Sequence, residues 1–145
     1  QGNMVKSNRN VTMLSGDPLP MNGFGTWKAE PGRCADGLRA ALEVGYRHID
    51  LAAVYMNEPE LGLVFEEYCS GPNPKIPREQ LFITSKVWNT CRAREHVMDA
   101  IKQSLLDLRL TYLDLYLIHH PFAWEYTGTF CLSDRDSRSF VSFCC

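Results

Sequence analysis

Four side chains in this 145-residue chain are of types that could act together on one oxygen atom: Asp50, Tyr55, Lys86 and His119. A phenol can hand a proton to a forming alkoxide, but with an ordinary pKa of about 10 it works poorly at neutral pH unless its anion is stabilised. A neighbouring lysine ammonium provides that stabilisation. An ammonium within an apolar segment needs a counter-ion in turn, and an aspartate supplies one. Tyr55, Lys86 and Asp50 therefore read as a relay, with His119 able to donate to a carbonyl oxygen and polarise it. The set has no strong nucleophile and no phosphate loop. It suits proton transfer to oxygen while a hydride reaches carbon, and since no side chain carries hydride, a nicotinamide cofactor is implied.

These residues are far apart in sequence, so the fold must gather them. Residues 46–51 read as a short buried strand ending at Asp50, followed by a loop with Tyr55 and a helix beginning at Asn57. In that first turn Asn57 is placed to cap the free amides, Pro59 needs no intrahelical N–H, and Glu60 suits the positive helix end. Leu61, Val64, Phe65 and Tyr68 then fall on one helical face. Residues 81–88 form a β-rich strand carrying Lys86. Residues 95–108 form a helix with an apolar stripe of Val97, Ile101, Leu105 and Leu108. Residues 113–118, LDLYLI, form a strand ending at His119. Upstream, the turn residues 15–18 predict a hairpin between Val11-Thr12-Met13 and Leu19-Pro20-Met21. A glycine-spaced strand follows over 22–27, and residues 33–44 form a helix stopped by Gly45.

Strict alternation after the hairpin means parallel strands and right-handed crossovers, an α/β fold. Asp50, Lys86 and His119 each end a successive strand. A (β/α)8 barrel brings neighbouring strand ends round one rim, whereas a Rossmann sheet more often shows a G-x-G-x-x-G after its first strand, which is missing. The sequence thus predicts about the first four βα units of a TIM-type barrel behind an N-terminal hairpin. Residues 1–10 are expected to be disordered, 11–124 to form the half-barrel, and 125–145 to be an irregular tail.

Fifteen basic and seventeen acidic residues leave a net charge of -2 with no basic cluster, which argues against nucleic acid. No apolar run reaches the ~18 residues of a bilayer span. None of the six cysteines shows zinc spacing, so no metal is expected, and reduced thiols in a cytoplasmic protein are. The polar start of the chain has no signal-peptide core. The terminal Cys144-Cys145 pair lacks any companion lipidation feature and reads as chance.

The segments GFGTW, GYRHIDLAAVYMNEPELG, LFITSKVW and LDLYLIHHP resemble, in order and spacing, the aldo-keto reductase family over residues 11–122. The resemblance implies a (β/α)8 barrel, NADPH as usual cofactor, and reduction of aldehydes and ketones. It casts Tyr55 as general acid, Lys86 and Asp50 as its tuning pair, and His119 as the group orienting the carbonyl. Thr26, Trp27 and Asp50 would lie by the nicotinamide, and Trp27, Val54, Trp88, His119 and His120 would line the substrate site. The family usually carries Trp where this chain has His120. Its barrel is about twice this long, and the adenosine, ring-stacking and carboxamide contacts come from a second half that finds no matching positions here.

Taken singly, each of these residues has a plain structural reading: a half-buried tyrosine, an aspartate cap, packed tryptophans and rim histidines. Together and in this order they favour the chemical reading. Two other classes stay open, a truncated inactive form without a working cofactor site and a binding module like the related β subunits of voltage-gated potassium channels. A half-barrel would also leave strand edges open to self-association.

Overall fold

A computed structural model of the chain describes residues 9–30, 32–126 and 128. The hairpin forms between β1 (Asn10–Thr12) and β2 (Pro18–Pro20), antiparallel, with Val11 opposite Leu19. Its first strand starts at Asn10, and the Met21 amide bonds back to the Arg9 carbonyl. Then β3 (Gly23–Gly25), α1 (Arg33–Val44), β4 (His48–Asp50), α2 (Glu58–Cys69), β5 (Phe82–Val87), α3 (Arg94–Leu108) and β6 (Leu115–Ile118) alternate as the sequence predicts. The four later strands form one parallel sheet in the order β3-β4-β5-β6. This is the α/β, barrel-type architecture, present in part.

Register decides which side chains meet which layer. Phe24, Ile49 and Ile83 stand in line across β3, β4 and β5, and Phe24 packs on a core containing Ile49 and Ile83. Leu38 and Leu42 of α1, and Leu61, Val64 and Phe65 of α2, complete that core with Leu108 of α3. Each is at most 1% exposed, and side chains so fully buried contribute roughly 1.5–3 kcal/mol each. The alternate residues, Gly23, His48, Asp50, Phe82, Thr84 and Lys86, face the opposite, inner side, as the pleat requires.

Two local expectations are corrected. Asn57 does precede α2, but its side chain makes no cap hydrogen bond. Its Nδ2 donates instead to the Thr26 carbonyl at 2.8 Å, tying the end of β3 to the start of α2. On α3 the buried residues are Ala100, Ser104 and Leu108, while Val97, Ile101 and Leu105 are only half-buried. The cause is the close approach of α2 and α3: a Cβ on Gly62 would stand 2.1 Å from the Asp107 carbonyl. Helices this close together leave room for small side chains between them and push larger ones to the flank.

The α1 C-terminus follows expectation, with Gly45 at φ 103 closing the helix through amide bonds to Ala41 and Leu42 carbonyls. A Cβ at Gly23 would lie 3.0 Å from His48 Nδ1, whereas at Gly25 the space is open. Cys34, Cys69 and Cys91 are free thiols, and no helix among the described residues is long and apolar enough to cross a membrane. Of the expected segments, residues 1–8 and 129–145 lie outside the described residues. Within 125–128, Tyr126 stacks on His96 of α3 with ring centres 3.7 Å apart.

Replacing Gly62 by Ala is expected to destabilise the fold by about 1–3 kcal/mol, as overpacking does, although Gly→Ala in an open helix normally stabilises by up to ~1 kcal/mol. Urea unfolding followed by circular dichroism checks the sign, and a midpoint equal to or above the parent's would refute the close packing.

Candidate active site

Lys86 lies near the end of β5, on the inner face, with its side chain 13% exposed. Its ammonium meets three acceptors. It donates to the Leu51 carbonyl at 2.7 Å, pairs with Asp50 Oδ1 at 2.8 Å, and donates to the Tyr55 hydroxyl at 3.3 Å. An ammonium has three N–H donors, so all are committed. The Tyr55 oxygen thereby receives a hydrogen bond from the cation, and its own proton is left to be donated elsewhere.

Tyr55 is held by a single 3-10 turn, Ala53–Tyr55, which ends at Met56 in the left-handed region (φ 58). The Trp27 ring stacks on Tyr55 with centroids 6.3 Å apart and an interplanar angle of 29°, while 66% of Trp27 is exposed. Thr26, beside it, is buried; its hydroxyl donates to the Asp50 carbonyl at 3.0 Å and its amide bonds the same oxygen. The end of β3 is thus tied to the residue that balances Lys86.

His119 follows β6 and its amide bonds the Val87 carbonyl at 3.2 Å. Its ring meets Tyr55 edge-on at 5.7 Å and Trp88 at 5.3 Å. Burial pushes its pKa down to about 4, reinforced by His120 and Lys86 and opposed by Asp50. The imidazole is therefore neutral at pH 7. Its Nδ1 is buried without a partner. A buried N–H without an acceptor is costlier than a bare lone pair, which assigns the proton to Nε2, where it can be donated.

The structure thus brings Asp50, Tyr55, Lys86 and His119 together at the C-terminal ends of β4, β5 and β6. Of the remaining residues singled out in the sequence, Val54 is half-buried on the Tyr55 turn and His120 is exposed, its ring 4.6 Å from His119. Trp88 is buried behind His119, where Trp124 packs edge-on against it at 5.1 Å. Among the described residues no group of three or more His, Cys, Asp or Glu could hold a metal.

Sequence reasoning missed two supports. The Leu51 carbonyl is a main-chain acceptor that no side-chain pattern reveals. Glu58, at the α2 N-terminus, is buried and accepts from Ser85 Oγ at 2.6 Å, fixing the residue next to Lys86. Burial raises its carboxyl pKa, opposed by the Ser85 hydrogen bond. The signal was available in part: Ser85 must point opposite to Lys86, into the helical layer, where a hydroxyl needs a partner.

A cluster of Asp50, Tyr55, Lys86 and His119 on the C-terminal rim of a parallel βα sheet fits part of a barrel of the (β/α)8 type. The comparisons agree on which one. The Aldo/keto reductase family model matches residues 22–137, so the span continues beyond Trp124. Aldo-keto reductase family 1 member A1 from Gallus gallus is 52% identical over 115 residues, and the Homo sapiens protein of that name is 51% identical. Each match covers 79% of this chain and 35% of the relative. The aldose reductase structure from Schistosoma japonicum superposes with a TM-score of 0.80 at 39% identity, over 94% of this chain and 44% of that one. A Bombyx mori aldo-keto reductase solved in complex with NADP gives 0.73 at 37% identity, over 81% and 39%. The chain belongs to the aldo/keto reductase family and spans about a third of the length of the curated relatives it matches.

Protonating His119 works against its burial, so the unfolded chain, with an ordinary value near 6.5, takes up that proton first. The His119 contribution to stability is therefore complete above pH 6.5 and declines as pH falls from 6.5 towards 4. Imidazole NMR titration is expected to give a His119 midpoint near 4, and a midpoint near 6.5 would contradict the buried, neutral ring.

Proposed function

We propose that this chain carries the proton-transfer half of an NADPH-dependent carbonyl reductase, acting on a small aldehyde or ketone. The observation that carries the reading is the full commitment of the Lys86 ammonium, which leaves the Tyr55 proton as the one to be donated.

The residues present fit the nicotinamide end of the cofactor. Asp50 keeps 40% of its side chain exposed while paired to Lys86, leaving acceptor capacity for an amide donor. The exposed Trp27 ring offers a flat apolar surface beside it. Thr26 contributes by position, since its hydroxyl is already bonded to Asp50. NADPH, when bound, would supply the hydride that adds to the carbonyl carbon.

The protein's own part follows from the hydrogen bonds. His119 Nε2–H donates to the carbonyl oxygen, orienting it and drawing electron density away from carbon. Tyr55 Oη–H passes its proton to that oxygen as negative charge develops there. Lys86 stabilises the resulting phenolate, and Asp50 balances Lys86 throughout, so no isolated charge is created in the site. Val54 and Trp27 form the apolar side of the substrate space, and His120 makes the far side more polar. Such positioned general-acid catalysis contributes about 10²–10⁴-fold.

Hydride transfer also requires the nicotinamide at near-attack distance. The chain spans only 35% of its curated relatives, which favours a second reading for the isolated chain: acid-base residues without firm cofactor retention. Fluorescence titration of NADPH into the purified chain, with Lys86→Met as control, tests this. Expected is binding weaker than micromolar and little aldehyde-dependent loss of NADPH absorbance. Micromolar or tighter binding that Lys86→Met alters would extend the reductase reading to the chain alone. If the chain does turn over, Tyr55→Phe is expected to lower the rate by about 10²-fold or more. An unchanged rate would remove Tyr55 from the mechanism.

A further inference from the structure

A cleft of about 120 Å³ lies between the Tyr55 turn, the first turn of α2, the residue that follows β5, and α3. Its lining includes Ala53, Met56, Glu58, Trp88, Ala100 and Ser104. Ala53, Met56 and Ala100 make apolar walls. The polar groups among them are deeply placed: Glu58 is 2% exposed, Trp88 7% and Ser104 1%. The Trp88 Nε1–H is buried and has no hydrogen-bond partner among the described residues. Native structures rarely leave such a donor unpaired, because its lost hydration is not returned.

Glu58 offers the complementary chemistry. One of its oxygens accepts from Ser85 Oγ at 2.6 Å, and the Ser104 hydroxyl lies beside the same carboxyl. A carboxylate has about four lone-pair sites, so it can accept further donors. Burial raises the Glu58 pKa, Ser85 and Ser104 hold it down, Asp107 raises it and Lys86 lowers it. Another donor aimed at this carboxyl would offset part of the cost of burying it.

We propose that the cleft is a binding site for ordered water, which accepts from Trp88 Nε1–H and donates to the Glu58 carboxyl. A buried water needs roughly 15 Å³ of space and about 2–4 polar partners. The cleft is much larger than that, and Trp88, Glu58 and Ser104 supply three partners. An apolar ligand would strand both the indole proton and the carboxyl. A metal ion would face the indole proton, and among the described residues no group of three or more His, Cys, Asp or Glu could hold one.

Glu58 thereby reaches two sides of the candidate site from behind. Through Ser85 it holds the residue next to Lys86, and through the water it holds Trp88, whose ring meets His119 edge-on at 5.3 Å. It is a positioning residue, because neither link touches the Tyr55 hydroxyl or the Lys86 ammonium. This support exists whether or not the chain reduces a carbonyl.

Nuclear magnetic resonance of the chain labelled at its tryptophan indoles tests the site, with the Trp88 signal assigned from Trp88→Phe. The Trp88 indole proton is expected to show a cross-peak to a long-lived water. Glu58→Leu is expected to abolish that cross-peak and move the indole proton upfield, as a weaker hydrogen bond does. Glu58→Gln, which keeps an acceptor oxygen, is expected to retain the cross-peak with a smaller upfield shift. Absence of a water cross-peak in the parent chain would overturn the proposal, as would a folded Glu58→Leu variant with the parent's cross-peak and shift. If Glu58→Leu does not fold, Glu58→Gln decides, and an unmoved Trp88 indole signal there overturns the link to Glu58.

Discussion

The register between β4 and β5 is the constraint on which both core and site depend. Asp50 stands opposite Thr84, and Ile49 opposite Ile83. This register places Lys86 where its ammonium reaches the Leu51 carbonyl and the Asp50 carboxylate. A slip by one residue would turn Lys86 into the helical layer and Ile83 out of it. The ammonium would then lose its partners in an apolar surrounding, and the core would lose a fully buried isoleucine. Hydrophobic burial and charge pairing therefore select the same register, and each protects the other. The geometry of the Lys86 cluster is inherited from a choice that the core makes anyway.

The helical layer carries polar ties of its own, and these act at the strand ends. Asn57 holds the Thr26 carbonyl, Glu60 accepts from the Gly32 amide at 2.7 Å, and Glu58 accepts from Ser85. All three acidic or amide side chains belong to α2 or its cap, so one helix N-terminus anchors β3, α1 and β5 together. An acidic helix start is favoured by the helix dipole on its own account. Here the same groups serve long-range contacts, which is why Asn57 is not spent on capping its own helix. Tyr55 sits on the short turn immediately before this anchor, and its position is only as fixed as the anchor is.

Much of this arrangement was legible in the sequence, for identifiable reasons. Alternation of periodicities placed the α-helices and strands of the described residues, and α2 buries Leu61, Val64, Phe65 and Tyr68 on one face as expected. The cluster of Asp50, Tyr55, Lys86 and His119 was legible because each residue ends or follows a strand, and parallel strands deliver such ends to one rim. The stripe on α3 misled, because periodicity weighs a residue by hydrophobicity and close helix contact weighs it by size. Ala100 and Ser104 beat Val97 and Ile101 for that reason. The partner of Asn57 was illegible too, since local capping and a bond to Thr26, 31 positions away, are the same donor chemistry. Backbone acceptors such as Leu51 leave no trace in a side-chain pattern.

The four clustered residues are not equally well secured. Asp50, Tyr55 and Lys86 are joined to one another and to β4 and β5, the two inner strands of the sheet. His119 follows β6, an edge strand among the described residues whose last residues are substantially exposed, and its main chain is tied to β5 by the bond to the Val87 carbonyl. Its ring packs against Tyr55 and Trp88, and its Nδ1 has no partner among the described residues. Edge strands open more readily than central ones because fewer buried contacts must be broken. Asp50, Tyr55 and Lys86 thus sit on the two inner strands, and His119 sits where the sheet is least covered among the described residues.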